Sequence, residues 1–166
     1  MEFSLTPYTS GLVQEQAVAE IVKCNSFTAE YGLALTPGQA LELVETRANA
    51  LSENGRIEFG GGVIDKIIKE FCVSPYISMH NYAQTINELL EIFYYYKNET
   101  LDMVSDDELI EYMKALFDGV CHGSLDLLSG RELDRLARNL RLGHRYDSSE
   151  DGFPEDDRDE DGGEDG

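Results

Sequence analysis

An all-α fold is what this chain predicts: a single helical domain of about six helices over residues 1–146, with at most one short two-stranded element, and a disordered acidic tail over 147–166. Three observations carry that expectation. Apolar residues recur at steps of three and four along most of the chain, the period that gives a helix one buried face. Helix-opening patterns stand ahead of three such stripes: Thr36-Pro37-Gly38-Gln39, Ser105-Asp106-Asp107-Glu108 and Ser129-Gly130-Arg131-Glu132. Residues 147–166 hold 11 acids and one arginine, too charged and too poor in apolar side chains to pack.

The elements follow in order. Ser10 is placed to cap a first helix reaching about Cys24, with Val13, Ala17, Ile21 and Cys24 on one face. A connector follows, in which Gly32 to Leu35 suits an extended conformation. The helix after Thr36 carries Leu41, Val44, Ala48 and Leu51 at helical spacing, and Asn54-Gly55 ends it. Arg56-Ile57-Glu58-Phe59 alternates polar and apolar, the pattern of a short strand, which would pair with Leu33–Leu35. Gly60-Gly61-Gly62 opens a helix burying Ile64, Ile67, Ile68 and Phe71, and Ser74-Pro75 breaks it. Ser78 is expected to start the next helix, whose stripe is Met79, Tyr82, Ile86, Leu89, Phe93 and Tyr96. Behind Ser105, Leu109, Met113, Leu116 and Phe117 point inward. Behind Ser129, Leu133, Leu136 and Leu140 do so up to about Leu142.

Charge and cysteine usage narrow the function classes. The net charge of −20 divides equally: the tail carries 11 acids against one base, the first 146 residues 22 acids against 12 bases. Such a surface repels nucleic-acid phosphates and anionic lipid, so neither is an expected partner. A nucleic-acid mimic needs dense negative charge and stays open as an alternative. The N-terminus lacks the basic and apolar pattern of a signal peptide, and no apolar run approaches the roughly 20 residues of a membrane span. Cys24, Cys72 and Cys121 are odd in number and far apart, as in reduced thiols of a cytoplasm. Cytoplasmic location is the expectation.

The run LLEIFYYYKNET sets four aromatics in a row, Phe93 to Tyr96. At about 100° per residue, Phe93 and Tyr96 fall on the buried stripe, Tyr95 on its flank and Tyr94 opposite, among Asn87, Glu91 and Asn98. Two readings of Tyr94 follow: it packs beneath a second helix or loop, or it belongs to a partner surface. The helix phase predicts that Phe93→Ala costs about 3–5 kcal/mol and Tyr94→Ala far less.

Four other features invite chemistry. Gly60-Gly61-Gly62, between a candidate strand and a helix, has the form of a phosphate cradle, its donors the amides of Gly61 and Gly62. Yet no Lys-Ser/Thr pair follows, and Asp65 in the first turn opposes an anion, so a tight turn explains the glycines as well. Asp118, Cys121 and His122 lie within five residues and supply metal-ligand chemistry, though zinc sites need a third or fourth ligand from elsewhere. In the tail, Asp157, Asp159, Asp161 and Gly162 match the opening of a calcium loop that lacks its closing glutamate. Arg131, Arg135 and Arg138 share a helix face with Arg141 and Arg145 nearby, a basic patch that reads either as a solvated face helped by nearby acids or as a surface over which the neighbouring acidic tail folds back, in competition with an acidic partner. No G-x-S-x-G, H-E-x-x-H or Cys–His dyad signature occurs, which favours a non-enzymatic role, and no cofactor is expected.

The strings KCNSFTAEYGLALT, GRIEFGGGVIDKIIKEFCVSPYI, IFYYYKNETLD, DDELIEYMKALFDGVCHGSLDLL and GRELDRLARNLR resemble a bacterial family found mainly in clostridia, known as domain of unknown function 6323. The resemblance covers roughly residues 10–143 and implies a bacterial cytoplasmic protein. It implies no activity, cofactor or site residue. The leading expectation is a helical interaction protein, an adaptor or regulator binding another protein around Tyr94 or the Arg131–Arg138 face. A phosphate or small-molecule role at Gly60–Gly62, or a metal role at Asp118, Cys121 and His122, is the alternative.

Overall fold

The computed structural model describes residues 7–53 and 60–143, of which 7–12 are described by backbone alone. Within them the chain is all-α: six helices and no strand. The candidate strand Arg56–Phe59, the Asn54-Gly55 helix stop and the tail over 147–166 lie outside the described residues. No described helix is long and apolar enough to cross a membrane.

Helix α1 (Pro7–Lys23) begins at a proline, whose missing N–H costs nothing in a first turn, three residues ahead of Ser10. It buries Ala17 and Ile21, with Cys24 just beyond its end, while Val13 is half-buried. The connector needs no strand partner. Asn25 donates its side-chain amide to the Leu35 carbonyl (2.9 Å) and accepts the Leu35 N–H (2.8 Å). Thr28 donates to the Leu33 carbonyl (2.8 Å), so Leu33 and Leu35 are buried with their backbone satisfied locally.

Helix α2 (Pro37–Glu53) opens on the expected reciprocal cap, the Gln39 N–H on Thr36 Oγ1 (3.1 Å) and the Thr36 N–H on Gln39 Oε1 (3.0 Å). Its buried face is Ala40, Leu43, Val44, Arg47 and Leu51; Ala48 is exposed and Leu41 half-buried. The expected phase is therefore rotated, because α2 packs against both α1 and the central helix and takes Arg47 inward.

Helix α3 (Gly62–Phe71) buries Ile64, Ile67, Ile68 and Phe71 as expected. Helix α4 (Tyr82–Glu99) starts later than Ser78. Asn81 is the reason: its Oδ1 accepts the Ser78 N–H (3.0 Å) and its Nδ2 donates to the Tyr76 carbonyl (3.3 Å), folding 78–81 into a turn. Met79 is thereby left half-exposed instead of joining the stripe. Helix α5 (Asp106–Asp118) has the full Ser105–Glu108 capping box and buries Leu109, Met113, Leu116 and Phe117.

The last helix, α6 over 125–141, runs through Leu125–Leu127, a π segment Leu128–Glu132, and Leu133–Arg141. Ser129 does not open it. Ser124 is the cap, accepting the Leu127 N–H (3.2 Å), while Ser129 lies inside the π segment and donates to the Leu125 carbonyl (3.1 Å). The wider turn has a packing reason. Leu128 and Leu133 are both fully buried, yet five residues apart they would diverge by about 140° on a regular α-helix.

Helix α4 is the centre of the fold, flanked by α2, α3, α5 and α6. Its buried residues occupy most of its circumference, from Tyr82 and Ile86 round to Leu90, Tyr94 and Lys97. This placement decides between the two readings of Tyr94. It is 3% exposed, packed under α2, and Tyr95 is the ring that faces out at 55%.

Candidate functional site

Between α2 and α4 their side chains leave an open groove of about 440 Å³. Thr46, Asn49, Ala50 and Glu53 line it from α2, and Glu91, Tyr94, Tyr95 and Asn98 from α4. Each set advances by three and four, the rows that two neighbouring helices turn towards a shared cleft. A second cavity of about 270 Å³ lies along α4, lined by Glu91, Ile92, Tyr95, Tyr96 and Ser129, so Glu91 and Tyr95 form the ridge between the two. Tyr95 packs edge-on against Tyr96, ring centroids 4.8 Å apart. Tyr96 is itself tied down, its hydroxyl donating to the Ser129 carbonyl of α6. Thr46 donates to Asn87 Oδ1 (2.7 Å), fixing the upper wall of the larger groove. The site thus sits on two rigid helices, with an exposed aromatic ring held by a buried one.

The glycine turn has a different occupant from phosphate. The Gly61 N–H donates to Glu20 Oε1 (2.7 Å), so a carboxylate of α1 already sits on the amide that an anion would use. Gly60 (φ +61°) and Gly62 (φ +48°) are left-handed, and a Cβ on Gly60 would lie 2.5 Å from Glu20 Oε1. Buried Arg47 donates to the Gly61 carbonyl (3.3 Å). The glycines let the chain close on Glu20 and Arg47. Asp65, in the first turn of α3, accepts the Cys24 thiol (2.9 Å); burial first, then Asp65, pushes that thiol up to about 12. Cys24 is therefore a protonated packing group at neutral pH.

Asp118, Cys121 and His122 do not converge. Helix α5 ends at Asp118, so His122 is not one helical turn on from it; it lies in a left-handed turn (φ +48°), with Nδ1 3.4 Å from the Tyr76 hydroxyl. Asp118 accepts the Ser74 hydroxyl (2.6 Å) and pairs with Lys114 (2.8 Å). Cys121 is buried, and burial raises its thiol pKa. Among the described residues no group of three or more His, Cys, Asp and Glu is placed to hold a metal ion.

The arginines of α6 are answered by their own neighbours. Arg131 Nε lies 2.7 Å and Arg135 Nη1 3.5 Å from the carboxylate of Glu132, and Arg138 pairs with Asp134 (3.0 Å). Arg141 reaches back to Glu99 (3.0 Å). Glu132, read in the sequence as part of a cap, is a buried anion between two arginines. Burial first, then its charge, drives the Tyr112 phenol up to about 12.

A family model matches residues 20–146 of the chain. The chain belongs to the family of unknown function DUF6323. The matched span of this DUF6323 member takes in Glu20 and its partner turn, all of α2 to α6, and every described residue of the groove. No curated protein and no solved structure matches the chain.

The residues that sequence reasoning missed are Thr46, Asn49, Glu53 and Tyr95. Asn87, Glu91, Tyr94 and Asn98 were placed together on one face of α4, which is the correct face. The partner row on α2 is polar, and a polar row at helical spacing carries no signal that it faces another helix.

Proposed function

We propose that this DUF6323 chain is a non-enzymatic cytoplasmic interaction module, an adaptor or regulator that binds another protein along the groove between α2 and α4. The observation that carries the reading is Tyr95: a large ring 55% exposed, edge-packed on buried Tyr96, at the ridge between two neighbouring cavities. Aromatic rings held rigid on helices supply contact area at little entropic cost, which is why Tyr is enriched in binding hot spots. The Arg131–Arg138 face supports binding less well, since each arginine there already has a carboxylate of its own chain.

The test is native mass spectrometry of the protein gently isolated from its own host, with elemental analysis of the same sample, for the unmodified chain and for Tyr95→Ala. A stoichiometric second chain that is lost in Tyr95→Ala supports the module reading. A stoichiometric metal or small molecule in place of a protein would overturn it.

A further inference from the structure

The groove is open and its described lining is negative, and those properties name the chemistry of what it takes. We infer that the bound segment is cationic: an extended stretch of the partner protein bearing arginine or lysine, with one such side chain in the larger cavity between Glu53 and Glu91. The neighbouring residue of that stretch crosses Tyr95 into the smaller cavity. This rests on the interaction-module reading and adds the partner's chemistry to it.

Charge decides first. The described lining of both cavities includes two glutamates and no lysine, arginine or histidine. Several acids of the helices have cationic neighbours, among them Asp65 with Lys69, Asp118 with Lys114, Glu99 with Arg141, Asp134 with Arg138 and Glu132 with two arginines. Glu53 and Glu91 form no ion pair among the described residues, so their charge is free for a ligand. The ten net negative charges of residues 1–146 favour a cation over long range as well.

Shape and ring chemistry narrow the cation. About 440 Å³ lies within the range of natural ligand sites, and a second cavity sharing Glu91 and Tyr95 asks for an occupant that continues along α4. A guanidinium or ammonium laid on the Tyr95 face gains a cation–π contact, and the ring is already held in place by Tyr96. Asn49, Asn98 and Thr46 supply neutral donors and acceptors for a peptide backbone or a guanidinium edge.

The experiment is an NMR titration of the full chain, following backbone amides, with three probes. They are a capped hexapeptide with arginine at alternate positions, the same peptide with neutral citrulline for arginine, and spermidine. The arginine peptide is expected to move the amides of Asn49, Glu53, Glu91, Tyr95 and Asn98, and to bind at least about ten-fold tighter than the citrulline peptide. Glu53→Gln and Glu91→Gln, both at exposed positions that leave the core intact, should each weaken it roughly five-fold. Equal binding of the citrulline peptide, shifts confined to another face, or no binding would overturn the inference. Tighter binding of spermidine would overturn it in favour of a small amine. If the host partner stays bound to both Glu→Gln variants, the inference falls and the module reading stands. If no host partner exists yet the arginine peptide binds at the groove, the module reading falls and the cation site stands.

Discussion

Glu132 is a carboxylate only 4% exposed, while the two arginines that hold it are each about half-exposed (49% and 45% for their side chains). That difference makes the pair asymmetric. Glu132→Gln leaves both arginines in water, where an unpaired guanidinium costs little, so the loss should stay near 1–2 kcal/mol. Arg131→Ala with Arg135→Ala strands a buried anion, and the loss should be larger, about 3–5 kcal/mol. Urea unfolding of the two variants measures both; a Glu132→Gln loss equal to or above that of the double arginine variant would show that the carboxylate is not the costly partner. Arg47 and Glu20 teach the same lesson about reading single residues. Both are charged, both turn towards Gly61, and neither can be placed there from sequence because the turn they meet lies 14 and 41 positions away. A charged side chain carries no periodic signal of its own burial. Only the fold says which ones find partners inside.

The helix faces were far more legible than the helix starts. Ile64, Ile67, Ile68 and Phe71 of α3 and Leu109, Met113, Leu116 and Phe117 of α5 are buried where their spacing puts them, because a one-sided stripe leaves one possible phase. Helix α4 is different, being central, and for that reason its Tyr94 is buried along with Phe93, the rings 5.1 Å apart edge to face. The small cost expected for Tyr94→Ala therefore gives way to a large one. Phe93→Ala and Tyr94→Ala should each cost about 3–5 kcal/mol, while Tyr95→Ala should cost less than about 1 kcal/mol. Thermal unfolding of the three variants decides it; a Tyr94→Ala protein as stable as Tyr95→Ala would mean the ring is not packed under α2. Helix starts failed at Ser10, Ser78 and Ser129, because a serine caps only if the backbone leaves the helix at that residue, and local sequence does not encode that. Ser124→Ala should cost about 1 kcal/mol, as a lost N-cap, and Ser129→Ala clearly less, by the same measurement. Equal losses would argue that the helix opens at Ser129 after all.

Across the whole molecule, several buried groups stay protonated together, and this ties global stability to alkaline pH. Tyr82, Tyr96 and Tyr112 are each raised from 10 to about 12, with burial the largest cause, and the Cys24 thiol from 9 to about 12. The sign is set by which state binds more protons. Above pH 9 the unfolded chain gives up the Cys24 proton, and above pH 10 its phenolic protons, while the native chain keeps them, so stability is fully present below about pH 9 and falls as pH rises towards 12. Each fully buried phenol contributes a slope of up to about 1.4 kcal/mol per pH unit, so together they take a sizeable share of a domain margin of about 5–15 kcal/mol across that window. Half-buried Tyr112 contributes less than Tyr82 and Tyr96, which are 1% and 4% exposed. The expected behaviour is one cooperative loss of helix between pH 10 and 12, with phenolate absorbance rising in step with the fall in circular dichroism. Tyr82 separates this from general alkaline damage. Its hydroxyl is buried beside Thr28 with no hydrogen bond made to it, so Tyr82→Phe removes a desolvated polar atom without orphaning a partner. That variant should be as stable as the natural chain at neutral pH, or more so, and should unfold at a higher pH. An unchanged alkaline midpoint would mean that Tyr82 is ionised in the native state, and that water reaches its buried hydroxyl.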